Sequence, residues 1–198
     1  MTFDFRKPLK SAALLACLSA TAFADPLADL LKGDGGACFD RVYDKAHVDK
    51  HPGQQTLAVR LSLQRDEDGN DTIIRIALSD KKRTNYIVGG CNWAAKANLD
   101  INDKPLITAF KGPSGLNCYA MTSEDGSSAE EGGDFPTDLK DGRSILLYLP
   151  ESIAAWPSVD RANSAAFIEL GKEDRVFRLD TADQASCHDM DKQLPWLL

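Results

Sequence analysis

Apolar and polar positions alternate along much of the chain. Leu57, Val59, Leu61 and Leu63 alternate with Ala58, Arg60, Ser62 and Gln64. A strand sends successive side chains to opposite faces, so this period of two predicts a strand with one wet face. Residues 66–71 form a turn, with Asp68-Gly69 as the hairpin pair. Residues 72–78 return as a strand with Ile74, Ile76 and Leu78 inward and Arg75 outward. After a turn at 79–83, residues 84–88 make a third strand that ends at Gly89-Gly90-Cys91. Short strands are predicted at 97–101 and 106–110, then at 116–121 with Cys118 on it. Residues 123–134 are a polar, acidic loop with three glycines. A strongly apolar strand at 144–149 stops at Pro150, and 151–156 is predicted as one helical turn. Residues 165–170 and 175–179 are predicted to form a late hairpin.

Helical punctuation occurs only near the ends of this pattern. Asp25 can cap a helix, Pro26 suits its first turn and Gly33 can stop it. A closing helix is expected at 181–190, capped by Asp180 or Thr181. Short strands without repeated long helices predict an all-β fold, mainly antiparallel: a sandwich or small barrel with short N- and C-terminal helices.

The longest apolar run lies elsewhere, at residues 11–22. It follows Arg6, Lys7 and Lys10 and closes on Ala22-Phe23-Ala24. A basic start, a run of about a dozen apolar residues and small residues before the cut predict a signal peptide over 1–24. A bilayer span needs roughly 20 residues. The expected domain is 25–198, periplasmic or secreted. Leu14-Leu15-Ala16-Cys17 offers a rival cut, after which Cys17 would be acylated and anchored by lipid. No later segment is long and apolar enough to cross a membrane.

Removal of the leader takes three of the 23 Lys+Arg and one of the 30 Asp+Glu, leaving 20 against 29 and a net charge of −9. Such a surface argues against nucleic acid as a partner, because phosphate binding needs concentrated positive charge. It fits a basic protein.

Cys38, Cys91, Cys118 and Cys187 remain, an even count that predicts two disulfides in an exported chain. A faint likeness between the halves, each bounded by cysteines, favours Cys38–Cys91 with Cys118–Cys187. Neighbouring strands at 91 and 118 favour Cys91–Cys118 with Cys38–Cys187, in which a bridge between chain ends closes the longest loop. The second arrangement is preferred, because the intervening hairpin is short.

His47 and His51 are four apart and would share a helical face with Asp44 one turn earlier. Imidazoles at that spacing suit Zn²⁺ or Cu²⁺, with His188-Asp189 as a further source of ligands. Pro52 and the flanking charges argue for solvated histidines instead. Residues 66–71 fail as a calcium loop, because Asp71 stands at the sixth position and Ala77 at the twelfth. The loop acids, Glu130 and Glu131 among them, suit a basic partner. Ser114 lacks the Gly-x-Ser-x-Gly setting of a nucleophile elbow. No cofactor is expected.

The stretches 38–43, Ala46-His47 with His51-Pro52, 90–93 and 176–180 resemble a group of small exported alphaproteobacterial proteins of uncharacterised function. Ser114-Gly115 followed by Tyr119 is similar to the Ser-Gly-x-x-Tyr loop of periplasmic lysozyme inhibitors, small disulfide-bearing β-barrels, with one extra residue in the spacing. That resemblance implies Ser114 and Tyr119 as binding residues. The expectation is a non-enzymatic binding or inhibitor module for a protein or envelope component; the alternative is a small metal-dependent or hydrolytic enzyme.

Overall fold

Eight antiparallel strands close on themselves, so the all-β expectation resolves to a barrel. The computed structural model describes residues 26–32, 36–66, 71–99, 104–112, 114–123, 132–140, 142–159 and 164–194. The predicted leader 1–24, Cys17, the Asp68-Gly69 turn and the loop acids Glu130 and Glu131 lie outside them. Helix α1 (Pro26–Leu30) precedes strand β1 (Ala37–Val42), and α2 (Lys45–Lys50) follows it. A meander then runs through β2 (Ala58–Arg65), β3 (Thr72–Ser79), β4 (Thr84–Ala94), β5 (Gly115–Ala120), β6 (Asp134–Lys140) and β7 (Ser144–Tyr148). A separate hairpin of β8 (Ser152–Ala155) and β9 (Ala166–Glu169) is followed by a 3₁₀ turn (Lys172–Asp174). Strand β10 (Val176–Thr181) then fits between β7 and β1 to close the barrel, and α3 (Gln184–Gln193) ends the fold. No helix among the described residues is long and apolar enough to cross a membrane.

The alternation read from the sequence sets which side chains fill the barrel. Phe39, Leu61, Ile76 and Ile87 stand directly opposite one another on β1 to β4, and each is 0 % exposed. Leu116, Thr137, Leu147 and Phe177 continue the filling on β5, β6, β7 and β10, all at 0–1 %. Eight strands leave an interior just wide enough for side chains. Apart from Thr137 those side chains are large and apolar, so the barrel holds a packed core rather than a ligand cup. Leu27 of α1, Leu31 just after it, and Ile153, Ala154 and Ala155 of β8 join the same apolar cluster. Gly89 lets β4 approach β5: a Cβ there would stand 1.7 Å from the Tyr119 carbonyl oxygen.

The disulfides are Cys38–Cys187 and Cys91–Cys118. The second bridges directly opposed residues of β4 and β5 inside the barrel, with Cα atoms 4.1 Å apart. The first ties β1 to α3 on the outside, where Cys187, Met190 and Leu194 pack on Ala77, Val88 and Trp156. The duplicated-halves pattern is not the pairing formed, because both halves belong to one closed sheet.

Several local expectations are corrected. Residues 152–155 are a strand, not a helical turn; Ile153, Ala154 and Ala155 are all buried, so no alternation marked it. Residues 166–169 and 176–181 do not pair with each other: β9 joins β8, and β10 joins the barrel. Strand β4 continues past Gly89 to Ala94, because β5 pairs with it as far as that residue. In place of strands at 97–101 and 106–110, the described residues show one isolated bridge, Leu99 to Pro105. That segment packs Ala97 and Phe110 on Tyr148 of β7. The cap of α3 is Asp183, whose side chain accepts from the Ala185 N–H.

Candidate functional site

With the interior filled, the chemistry must lie outside the barrel. At one end of β1 the chain runs through Arg41 and Val42 to Tyr43 and turns into α2. Asp44 caps that helix by accepting from the His47 N–H at 2.8 Å. The helix ends before Pro52, with His51 as its C-cap. The four-residue spacing therefore stacks His47 on His51, ring centroids 4.5 Å apart and planes 25° from parallel. Tyr43 also lies against His47, ring centroids 4.6 Å apart and planes tilted by 32°. The Arg41 guanidinium stands 5.9 Å from the Tyr43 ring centre. Four planar groups thus form one column.

Gln54 orients this column. Its side-chain amide N–H donates to the Thr56 carbonyl at 2.8 Å, which turns its Oε1 toward His47 Nε2 at 3.0 Å. His47 Nε2 therefore carries a proton and donates. Burial raises the Tyr43 hydroxyl above its ordinary pKa; nearby Arg41 opposes this and Asp174 adds to it. The phenol stays neutral and can donate at neutral pH.

The opposite wall comes from far along the chain. Asp174, 3 % exposed, accepts from the Gln55 N–H at 3.0 Å and the Thr56 N–H at 2.8 Å. This pins the 172–174 turn against the segment leading into β2. Glu173 then stands 3.7 Å from His51 Nδ1. Lys172, Val176 and Arg178 complete an open cleft of about 360 Å³. Behind it Asp180 pairs with Arg41 at 3.1 Å and Arg178 at 3.4 Å. Among the described residues, three permanent cations line the cleft beside one carboxylate, Glu173, and Asp180 pairs with two of those cations. An adjoining cleft of about 560 Å³ shares Lys172 and Val176 and extends past Arg175, Glu151 and Ile107.

Of the residues singled out in the sequence, the structure brings His47 and His51 together. Among the described residues, no three His, Cys, Asp or Glu side chains are placed to share a metal ion. His188 lies exposed on α3. Ser114 and Tyr119 do not share a loop: β5 begins at Gly115, so they lie roughly 16 Å apart along an extended strand. Tyr119 lies over Gly90 on the outer face of β4, where a Cβ would stand 2.4 Å from its hydroxyl. Arg41, Tyr43, Gln54, Lys172, Glu173 and Arg178 were not recognised as site residues. Tyr43-Asp44-x-x-His47 did carry a local signal, a capped turn with a ring on each side. The chain matches no family model, no curated protein and no solved structure.

Proposed function

We propose that the chain is a non-enzymatic binding module, periplasmic or secreted, that holds a protein or cell-envelope component at the cleft between α2 and β10. The observation that carries this reading is convergence outside a solid barrel. Side chains from residues 41–54 and 172–178 meet in one concave, solvent-open surface lined by rings and guanidinium groups. Rings and Arg side chains are the groups that dominate recognition surfaces. Asp44, Gln54 and Asp174 hold that surface in place through hydrogen bonds, so its geometry precedes any ligand. The two disulfides and the apolar leader support an oxidising compartment.

The test compares the full chain with an Arg41→Ala/Arg178→Ala variant as bait in envelope and periplasmic extracts. A saturable partner held by the parent and lost by the variant is the expected result. No saturable partner at micromolar concentration, or equal retention by the variant, overturns the reading.

A further inference from the structure

We propose that this cleft binds an acidic saccharide, a sugar bearing a carboxylate or phosphoryl group; the inference rests on the binding-module reading above and names its ligand. Three features converge on that chemistry. The first is the column from Arg41 through Tyr43 and His47 to His51, whose ring centroids are 4.6 and 4.5 Å apart. An aromatic face is electronegative, and the C–H face of a sugar ring is electropositive, so the exposed His51 ring suits a sugar laid against it.

The second feature is charge. The chain is acidic overall, at −7, yet Arg41, Lys172 and Arg178 line this one cleft. Guanidinium groups match carboxylate and phosphoryl oxygens in paired hydrogen bonds. Asp180 braces both arginines at 3.1 and 3.4 Å and so presents them from a fixed base. Glu173 can accept hydrogen bonds from sugar hydroxyls, a role a purely cationic patch would lack.

The third feature is extent. The adjoining cleft shares Lys172 and Val176. Adjoining volumes of about 360 and 560 Å³ suit a short chain of sugars better than a lone ion. The open shape fits a ligand held at several points along a polymer.

Isothermal titration of the full chain with trigalacturonate, glucose 6-phosphate and neutral maltotriose tests this. At least one acidic probe should bind at least tenfold more tightly than maltotriose and weaken as salt rises. Its affinity should fall at least tenfold in Arg41→Ala/Arg178→Ala, with an unchanged thermal midpoint confirming the fold. The His47 and His51 ring signals should shift in the NMR spectrum on titration. The carboxylate and phosphoryl arms identify which anion is preferred. Equal affinity for maltotriose, no binding of either acid, or an undiminished variant overturns the proposal. If the sugars fail while partner capture still needs Arg41 and Arg178, the ligand class is wrong and the module reading stands. If both fail, both fall.

Discussion

Arg75 points out of the barrel from β3, yet it is 0 % exposed because α3 covers it. Its Nε donates to the Leu194 carbonyl at the end of α3 at 3.2 Å, and Nη1 donates to Gln64 Oε1 at 2.8 Å. Asp191 of α3 stands 3.7 Å away and accepts from Ser62 Oγ at 2.5 Å and Gln64 Nε2 at 3.2 Å. Burial lowers the Arg75 pKa and Asp191 opposes that shift, but a guanidinium stays charged in proteins. Replacing Asp191 with alanine therefore leaves a buried cation without its counter-ion. Losing one partner of a buried pair costs about 3–5 kcal/mol. The two hydrogen bonds that Arg75 keeps, and the 3.7 Å separation, put Asp191→Ala at about 3 kcal/mol, the lower end of that range. Removing both charges, in Arg75→Met/Asp191→Leu, removes the need for compensation and should return stability to within about 1 kcal/mol of the parent. Urea unfolding of the parent, Asp191→Ala, Arg75→Met, Asp191→Leu and the double variant, with disulfides intact, gives the cost of the lost counter-ion and, from the last three, the coupling. A cost below 1 kcal/mol for Asp191→Ala, or a double variant as unstable as Arg75→Met and Asp191→Leu added, would refute the reasoning.

Three further outcomes follow from the fold. Replacing Cys38 and Cys187 with serine releases a constraint across 149 residues, against 27 for Cys91 and Cys118. Chain entropy puts the losses at roughly 5 and 3.5 kcal/mol, so the outer bridge should matter more in urea unfolding, and the reverse order would count against that account. Gly89→Ala should cost several times more than Gly142→Ala in thermal unfolding. At Gly89 the new Cβ meets the Tyr119 carbonyl, whereas Gly142 has open space and only its positive φ of 64° to strain, about 1 kcal/mol. The Asp80 carboxyl is held below its ordinary pKa, first by the Lys82 N–H and then by the Arg83 N–H. A folded pKa below the unfolded value of about 3.9 means that its contribution is full above that value and is lost as pH falls through the folded one. Asp80→Asn should flatten the acid limb of stability against pH, and an unchanged limb would show that other carboxylates set it.

The sequence made the fold legible wherever one face of a strand is core and the other is wet. Strands β2 and β10 show this best, with Val59, Leu61, Leu63, Phe177 and Leu179 buried and Arg60 and Arg178 exposed. Arg75 marked the outward face of β3 correctly, but it could not announce that a helix from 119 residues away would cover it. Strand β6 escaped notice because Pro136 and Asp138 look like a loop. Its ladder to β7 starts only at Thr137, so Pro136 withholds no N–H from that pairing. Half of the candidate site was equally local: Asp44, His47 and His51 lie within the six-residue helix α2 and its caps. The other half depends on barrel closure, which no local pattern specifies.

Closure also explains why the cleft lies where it does. Strands β1 and β10 meet over only two paired positions, Phe39 with Thr181 and Asp40 with Asp180, the shortest ladder in the barrel. Side chains reinforce this seam. Arg41 reaches across it to Asp180, the Ala182 N–H donates to the Cys38 carbonyl, and the Cys38–Cys187 bridge ties the start of β1 to the helix that follows β10. A seam with so few backbone bonds leaves the outer edges of β1 and β10 to diverge, and the space between them is the cleft. The cation that braces the seam, Arg41, also heads the column of rings. The half-exposed Arg41–Asp180 pair adds little to closure, which rests on the packed core and the Cys38–Cys187 bridge, so its chief effect is to shape the binding surface.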